Sequence, residues 1–556
     1  MEILVASEAG TLHALALDDD LAPTRTQRLD RSEFAAFAAS VEPEQPRWVW
    51  ADTAALYPEL LRDDVRVQRC LDLRLCHVIL RHAAPGSFEG DDLWDSPVLA
   101  EADPTPSLLD DLEDMARLGD VGPEELLAER IRQRDALGAV ADPGRVRFLL
   151  AAESAGALIA AEIAHDGLPW DLEAHDRILT DVLGPRPRPG MRPKRLEELA
   201  GIIQERLSAP RLNPDSPVDL LRTLRRAGLD VKSTSKWELQ ELDHPVVEPL
   251  LEYKRLARLL SANGWTWMDS WVRPGTQDRR GRFFPDYVPG GVVTGRWATS
   301  GGGALQLPKQ IRAAVRADPG WKLVVADVAQ IEPRVLAAMS RDEALAAASR
   351  GTDLYQGLVD AGIVDTRAHA KVAMLGALYG ATTGEAGHLM PRLLRAYPRA
   401  TGLVEDAART GERGGVVRTW LGRTSPPPSA TWREVQGLAT QPDAGESAER
   451  RARQQARDWG RFTRNFVVQG TAAEWALVWM AEIRRRLTAM TNGADRPHLV
   501  YFLHDEVIVH SPADLVDDVA TAIRDASAEA GRLLFTGFGV EFPLDVAIVE
   551  HYGEAE

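Results

Sequence analysis

Two apolar runs, Tyr501-Phe502-Leu503 and Val507-Ile508-Val509, flank the polar tripeptide His504-Asp505-Glu506. Short runs rich in β-branched and aromatic residues, parted by a few polar ones, predict a β-hairpin with the polar residues at or near its tip. Much earlier in the chain another run, Leu323-Val324-Val325-Ala326, ends at Asp327. Strand ends hold side chains on rigid backbone. A pair of divalent ions needs at least two carboxylates to bridge it. Asp327 and Asp505, with Glu506 as an auxiliary, fill that need once the fold brings the two strands together.

Three more blocks belong to the same pattern. Trp321 to Ser340 reads as strand, short turn and helix, with Pro333 in the first helical turn, where its missing N–H costs nothing. Asp327 then ends the strand, and Glu332 sits one turn on at the mouth of the same site. The plainer alternative is an acidic pair stabilising a helix N-terminus. From Asp365 to Gly380 a helix is predicted, capped by Asp365 or Thr366. At about 100° per residue, Arg367, Lys371, Leu375 and Tyr379 lie at about 0°, 40°, 80° and 120°, a slanting stripe. A forked guanidinium and a mobile ammonium one turn apart suit a triphosphate, and a ring further along can stack on a base. An ordinary solvated basic face is the alternative. Arg461, Asn465 and Gln469 repeat at i, i+4 and i+8 ahead of an apolar helix. Asn and Gln donate to minor-groove acceptors that are nearly the same for every base pair, so they test the shape of a pair without reading its identity. A polar solvated stripe is the alternative there. Each plain reading serves its block alone. Together, in one order with fixed internal spacings, the blocks point to template-directed nucleotidyl transfer.

The chain has 556 residues, 45% hydrophobic and 27% charged, enough for roughly three to four domains at about 150 residues each. Its net charge of −18 argues against indiscriminate coating of nucleic acid. Binding depends on where the basic residues sit, however. Much of the acid falls between Glu89 and Glu125, while Arg367 to Lys371 and Arg461 to Arg464 are locally basic. Cys70 and Cys76 are the only cysteines, which fits a reducing compartment and no disulfide scaffold. Met1-Glu2-Ile3-Leu4-Val5 has no basic n-region of a secretory signal, and no apolar run is long enough to cross a bilayer. The expected location is the cytoplasm, associated with the nucleoid.

Residues 1 to 82 alternate strand-like and helix-like pieces (Ile3 to Ala6, Leu12 to Leu15, Trp48 to Ala51), the pattern of a small α/β domain. Pro85 to Pro123 is acidic and rich in Pro, Gly and Ser, a surface excursion with one short helix at Leu108 to Leu118. Residues 145 to 165 form an apolar helix stopped by Gly167. Helices follow at 194 to 207, 215 to 227 and 245 to 262, with Pro249 marking either a kink or a first turn of the last. Ser425 to Gly445, opened by Pro426-Pro427-Pro428, reads as an irregular surface loop.

From residue 145 to the C-terminus the sequence resembles the family A DNA polymerases, the bacterial DNA polymerase I group. The family's palm motif Asp-Tyr-Ser-Gln-Ile-Glu-Leu-Arg is similar to Asp327-Val328-Ala329-Gln330-Ile331-Glu332-Pro333-Arg334. Its Arg-x3-Lys-x7-Tyr-Gly is matched at Arg367, Lys371, Tyr379 and Gly380, its Asn-x3-Gln motif from Asn465 to Glu474, and its His-Asp-Glu at 504 to 506. Thr294-Gly295-Arg296, Leu305-Gln306-x-Pro308 and Glu252-Tyr253-Lys254 resemble further family segments. The resemblance implies an α+β multidomain right hand, with an antiparallel palm sheet and helical fingers and thumb. A small α/β ribonuclease-H-like exonuclease domain precedes it. Expected bounds are 1–150 for that domain, 151–290 for the thumb and start of the palm, 291–340 and 476–556 for the palm, and 341–475 for the fingers.

The roles that the resemblance implies are these. Asp327, Asp505 and the Val328 carbonyl bind two Mg²⁺ ions, with Mn²⁺ as a substitute. Arg367 and Lys371 hold the triphosphate, and Lys371 protonates the departing pyrophosphate. Gln330, Glu332, Tyr355, Leu375 and Tyr379 surround the nucleotide, with Glu332 crowding the sugar 2′ position. Arg296, Gln306, Arg461, Asn465, Gln469 and His504 contact DNA. Primer-template DNA and dNTPs are the implied partners of a monomer, with no membrane. Leu375 stands where the family has Phe or Tyr, and Tyr355 where it has His; discrimination at the sugar 3′ region and one phosphate contact change accordingly. The exonuclease motifs are depleted. Glu8 has no Asp two residues earlier, Asp52 and Asp72 are isolated, and Leu150-x3-Ser154 stands where Tyr-x3-Asp belongs. An inactive nuclease fold serving as a platform is expected, with no room ahead of it for a 5′-nuclease. The competing reading is a non-catalytic DNA-binding protein on the same fold, against which the paired aspartates and the Lys371 stripe weigh.

Overall fold

The structure is a computed structural model and describes residues 1–88, 94, 120–276, 279–351, 353–380, 384–442, 444–490 and 495–555. The helix expected at Leu108 to Leu118 lies outside these residues. The chain divides into two compact units. One comprises Met1–Asp166, Asp286–Gly301 and Val324–Ile548; the other comprises Gly167–Pro285, Gly302–Leu323 and Val549–Glu556. Among the described residues no helix is long and apolar enough to cross a membrane.

The first unit begins with a five-stranded mixed sheet in the order Pro23–Leu29, Thr11–Leu17, Glu2–Glu8, Arg47–Trp50, Cys70–Asp72. The first three strands form an antiparallel meander, and the last two run parallel to Glu2–Glu8. Side chains alternate across a strand, and both faces here are covered. Ile3, Val5, Trp48 and Trp50 enter one core with Phe34 and Tyr57. Leu4, Ala6 and Val49 enter another with Leu126, Leu149 and Leu150. This sheet accounts for the strand-like runs of the first 82 residues.

The helix Pro143–Asp166 contributes to both cores through Leu149, Leu150 and Leu158. It stops at Gly167, whose φ of +71° a Cβ-bearing residue adopts only under strain. Near that end Glu162 accepts two bonds from Arg484, at 2.9 and 2.7 Å, and one from the Tyr57 hydroxyl at 2.5 Å. Arg66 donates to Asp166 at 2.7 Å. Removing one partner from a buried network like this costs about 3–5 kcal/mol, because the remaining charge is stranded. The helices Thr53–Arg62 and Pro143–Asp166 that cover the N-terminal sheet are thus bonded through Glu162 to the helix that carries Arg484.

That helix, Glu446–Met490, is continuous over 45 residues. It takes in both the Arg461–Gln469 stripe and the apolar stretch that the sequence divided from it. Ser425 to Gly445 is not wholly irregular either. Ala430–Ala439 is a helix capped by Ser429, and it is held along the long helix by bonds from Trp432 to Gln455 (3.3 Å) and Gln436 to Ala452 (2.9 Å). It buries no residue, so it lacks the apolar stripe that reveals a helix in sequence. The second sheet has the order His498–Leu503, Glu506–Pro512, Trp321–Val328, Leu544–Val549.

The second unit holds the helices Lys194–Arg206, Pro217–Arg226 and Val247–Asn263, close to their expected bounds. Pro249 falls in the first turn of the last. A three-stranded antiparallel sheet, Leu168–Trp170, Gly281–Phe283, Val272–Arg273, carries Trp170 and Phe283, which meet edge to face; His175 packs edge to face with Trp267 and tilted against Trp170. Burial pushes the His175 imidazole down to about 4, so it sits there neutral. Gln306 belongs to this unit, in a short 3₁₀ turn, where it accepts a bond from Arg258 at 3.4 Å.

Candidate active site

The hairpin expected around residue 504 forms with a two-residue turn, Leu503 facing Glu506. His504 takes φ of +58°, and the Asp505 amide reaches back to the Leu503 carbonyl at 2.7 Å. The strand Trp321–Val328 lies next to Glu506–Pro512 in the sheet and runs one residue past Asp327. At the tip, the Val328 N–H donates to the Asp505 carbonyl at 3.0 Å. One backbone bond thus holds the two aspartate-bearing segments edge to edge. Gln330, just after the strand, is also left-handed at φ +52°. A non-glycine residue there costs about 1–3 kcal/mol unless its surroundings impose it, and here one stands beside each aspartate.

What imposes those turns is visible. Arg334, fully buried, donates to the carbonyls of Ala329 (2.8 Å), Ser349 (2.5 Å), Gly351 (3.0 Å) and Glu541 (3.0 Å). Burial pulls its guanidinium down to about 10. The Tyr287 hydroxyl donates to the Phe502 carbonyl at 2.6 Å, and the Phe502 N–H lies 3.1 Å from the same oxygen. Trp297 packs between the two rings, 5.1 Å from each.

Around this edge, Glu332 accepts from Arg296 at 2.5 Å and from the Tyr379 hydroxyl at 2.9 Å, and Gln469 bonds the same hydroxyl. Burial raises Asp505 above the usual carboxylate range, with Glu332 pushing the same way and Arg296 opposing. Partial desolvation and then Arg296 lower His504. Asn465 is half-buried, and its side-chain oxygen finds no hydrogen-bond partner among the described residues. Arg461 is exposed and paired with Asp458. Glu506 opens the second hairpin strand, half-buried.

The stripe on Arg367–Tyr379 forms as expected, with Thr366 as the cap. Lys371 is exposed and Leu375 half-buried. Arg367 donates through Nε to Asp353 at 2.6 Å, and its guanidinium lies 5.7 Å from the centre of the Tyr355 ring. Asp353 also accepts from the Tyr355 and Gln356 amides (3.0 and 3.2 Å) and from Gln330 (3.4 Å). Against its partial burial, Arg367 and these N–H groups hold it below the usual range. Asp353 is an organising residue the sequence reading passed over. Its signal was the cap position before Leu354–Asp360.

Among the described residues no group of three or more His, Cys, Asp or Glu side chains forms a metal cage. Mg²⁺ seldom needs one, since it is held by one or two carboxylates and completed by waters and substrate phosphates. The hard oxygen donors of Asp327, Asp505 and the Val328 carbonyl fit that habit.

An antiparallel sheet offering paired aspartates beside a cation-bearing helix is the palm-and-fingers arrangement of a nucleic-acid polymerase. The sequence profile of DNA polymerase family A matches residues 193–554, well over half of the chain, and the protein belongs to that family. It is 28% identical over 356 residues to DNA polymerase I of Chloroflexus aurantiacus, covering 59% of this chain and 35% of that protein. It is 29% identical over 346 residues to the thermostable DNA polymerase I of Thermus filiformis, covering 57% and 37%. The match thus spans little more than a third of these relatives' length. The POL domain of Pol1 from M. smegmatis, solved in complex with DNA primer-template and dNTP, shares the fold at TM-score 0.67 and 19% identity, over 100% of this chain and 95% of that one.

Behind the site, Glu474 accepts from the Thr419 hydroxyl and from the Leu421 amide at 2.9 Å, and burial raises it from 4.5 to about 7. Between those values the folded protein holds a proton that the unfolded chain has released, so this group's stabilising contribution is lost as pH rises from 4.5 through 7. Glu474→Gln should remove that part of the slope. Urea denaturation at pH 5 and pH 8 is expected to show wild type losing stability relative to the variant, and a constant difference would contradict the assignment.

Proposed function

We propose that this chain is a DNA-directed DNA polymerase that extends a primer 3′ end with dNTPs on a DNA template and releases pyrophosphate. The observation that carries the reading is the Val328–Asp505 backbone bond in a member of family A, because it joins the strand end that carries Asp327 to the tight hairpin turn that carries Asp505. Asp327, Asp505 and the Val328 carbonyl would hold two Mg²⁺ ions, with Glu506 assisting. When bound, such ions lower the pKa of the attacking hydroxyl and neutralise charge in the transition state. Lys371, exposed on its helix, meets the triphosphate and gives a proton to the leaving pyrophosphate. Arg367 keeps its terminal N–H groups for phosphate while Asp353 occupies Nε. Gln330 and Tyr355 support that cation from behind. Glu332, fixed by Arg296 and Tyr379, crowds the sugar 2′ position, Leu375 lines the 3′ side, and Tyr379 borders the template base. Arg296, Gln306, Arg461, Asn465, Gln469 and His504 track the DNA.

The N-terminal sheet is proposed to lack 3′–5′ exonuclease activity. Asp52 caps one helix through the Ala54 amide (2.9 Å) and pairs with Arg74 at 3.2 Å. Asp72 caps the next through Leu75 (3.0 Å) and accepts from Thr53 (2.7 Å). Burial, then Asp52, raises it to about 6. Carboxylates committed to helix ends and an arginine are poorly suited to hold ions.

Asp327→Ala and Asp505→Ala should retain primer-template binding and lose extension to background in a primer-extension assay with Mg²⁺. Near-wild-type extension by either would sink the assignment, and a wild type that binds without extending would favour the DNA-binding reading. Glu332→Ala should admit ribonucleotides on the order of 10–100-fold more readily, the worth of one steric contact in a pocket; unchanged exclusion would refute the sugar gate. A 3′-mismatched primer incubated with the chain and Mg²⁺ but no dNTP should keep its length, and shortening would restore the nuclease.

A further inference from the structure

Inside the first unit, Arg423 donates to Glu153 at 2.6 Å, both side chains almost wholly buried. Glu153 lies on the helix Pro143–Asp166, within the Leu150–Ser154 stretch that stands where the last exonuclease motif belongs. Its other oxygen, Oε1, is buried and has no hydrogen-bond partner among the described residues. An orphaned carboxylate oxygen is costly, and a buried ion pair contributes little net stability compared with apolar residues of similar size. The pair therefore calls for an account other than stability.

The turn that ends in Arg296 supplies one. It is closed by bonds from Gly291 to Val288 (3.1 Å), Gly295 to Val292 (2.7 Å) and Val292 to Arg296 (3.1 Å). Gly290 and Gly295 both have positive φ, +62° and +87°. A Cβ at Gly290 would stand 2.6 Å from Glu153 Oε1, and one at Gly295 would stand 2.6 Å from Arg423 Nε and 2.8 Å from its guanidinium carbon. The turn lies directly on the ion pair, one glycine against each partner. Arg423 is itself anchored: Thr419 N–H bonds its carbonyl at 2.9 Å, and Thr419 and Leu421 both bond Glu474 on the long helix.

Resting on the polymerase reading, we propose that Glu153, acting through Arg423, is a positioning residue for Arg296, so that the helix Pro143–Asp166 is a support of the polymerase site. The support runs from the Glu153 carboxylate to the Arg423 guanidinium, from there to the Gly290–Gly295 turn, and so to the Arg296–Glu332 bond beside Asp505.

The test is a double-mutant cycle in steady-state primer extension with the full chain and Mg²⁺, with the thermal unfolding midpoint followed in parallel. Glu153→Gln alone should lower kcat/KM on the order of tenfold, as small misplacements at reacting geometry do. In an Arg296→Ala background the same change should have almost no further effect. Arg423→Lys, which keeps the charge but not the flat surface under Gly295, repeats the cycle should Glu153→Gln fail to fold. Wild-type kcat/KM in Glu153→Gln, or losses that multiply with Arg296→Ala, would overturn the proposal. Absence of extension by wild type would instead overturn the polymerase reading. The same cycle is then read in primer-template affinity, where a non-additive loss supports the positioning role and additivity refutes it.

Discussion

One backbone hydrogen bond, from Val328 to the carbonyl of Asp505, is the contact on which the site depends. Side-chain bonds can re-form in several geometries, but a bond between adjacent strand edges sets register. With it, Asp327 and Asp505 point from neighbouring backbone although they are distant in sequence. Neither tip is relaxed, since His504 and Gln330 both lie in the left-handed region. The cost of those conformations is met by surroundings that leave no alternative: Arg334 binding four carbonyls and Tyr287 gripping the strand at Phe502.

The cations and the acids of the site are arranged as interlocked pairs rather than as opposed fields. Arg296 and Tyr379 share Glu332, Arg367 is held by Asp353, and Arg461 by Asp458. A chain of net charge −18 can in this way keep its arginines oriented without a broadly basic surface.

The helix Pro143–Asp166, which packs on the N-terminal sheet, is tied to the rest of its unit at buried places that include Glu162 with Arg484 and Glu153 with Arg423. In each, an acid from the helix Pro143–Asp166 meets an arginine from far along the chain.

Local pattern was enough for much of this protein. Short continuous apolar runs gave away the hairpin and the strand before Asp327, helical spacing disclosed the Arg367–Tyr379 stripe, and Asp365 or Thr366 marked its start, because these features depend on neighbours a few residues apart. The helix Ala430–Ala439 escaped notice because it buries nothing and so carries no stripe. The pairing of Asp353 with Arg367, 14 residues on, and of Glu153 with Arg423, 270 residues on, escaped because no local pattern records contacts between such separated segments. The sequence by itself determined which carboxylates, cations and strands the site has to work with. Only the tertiary structure decided which of them meet, since register across strand edges and the burial of an ion pair are properties of packing between distant segments, and no local periodicity encodes them.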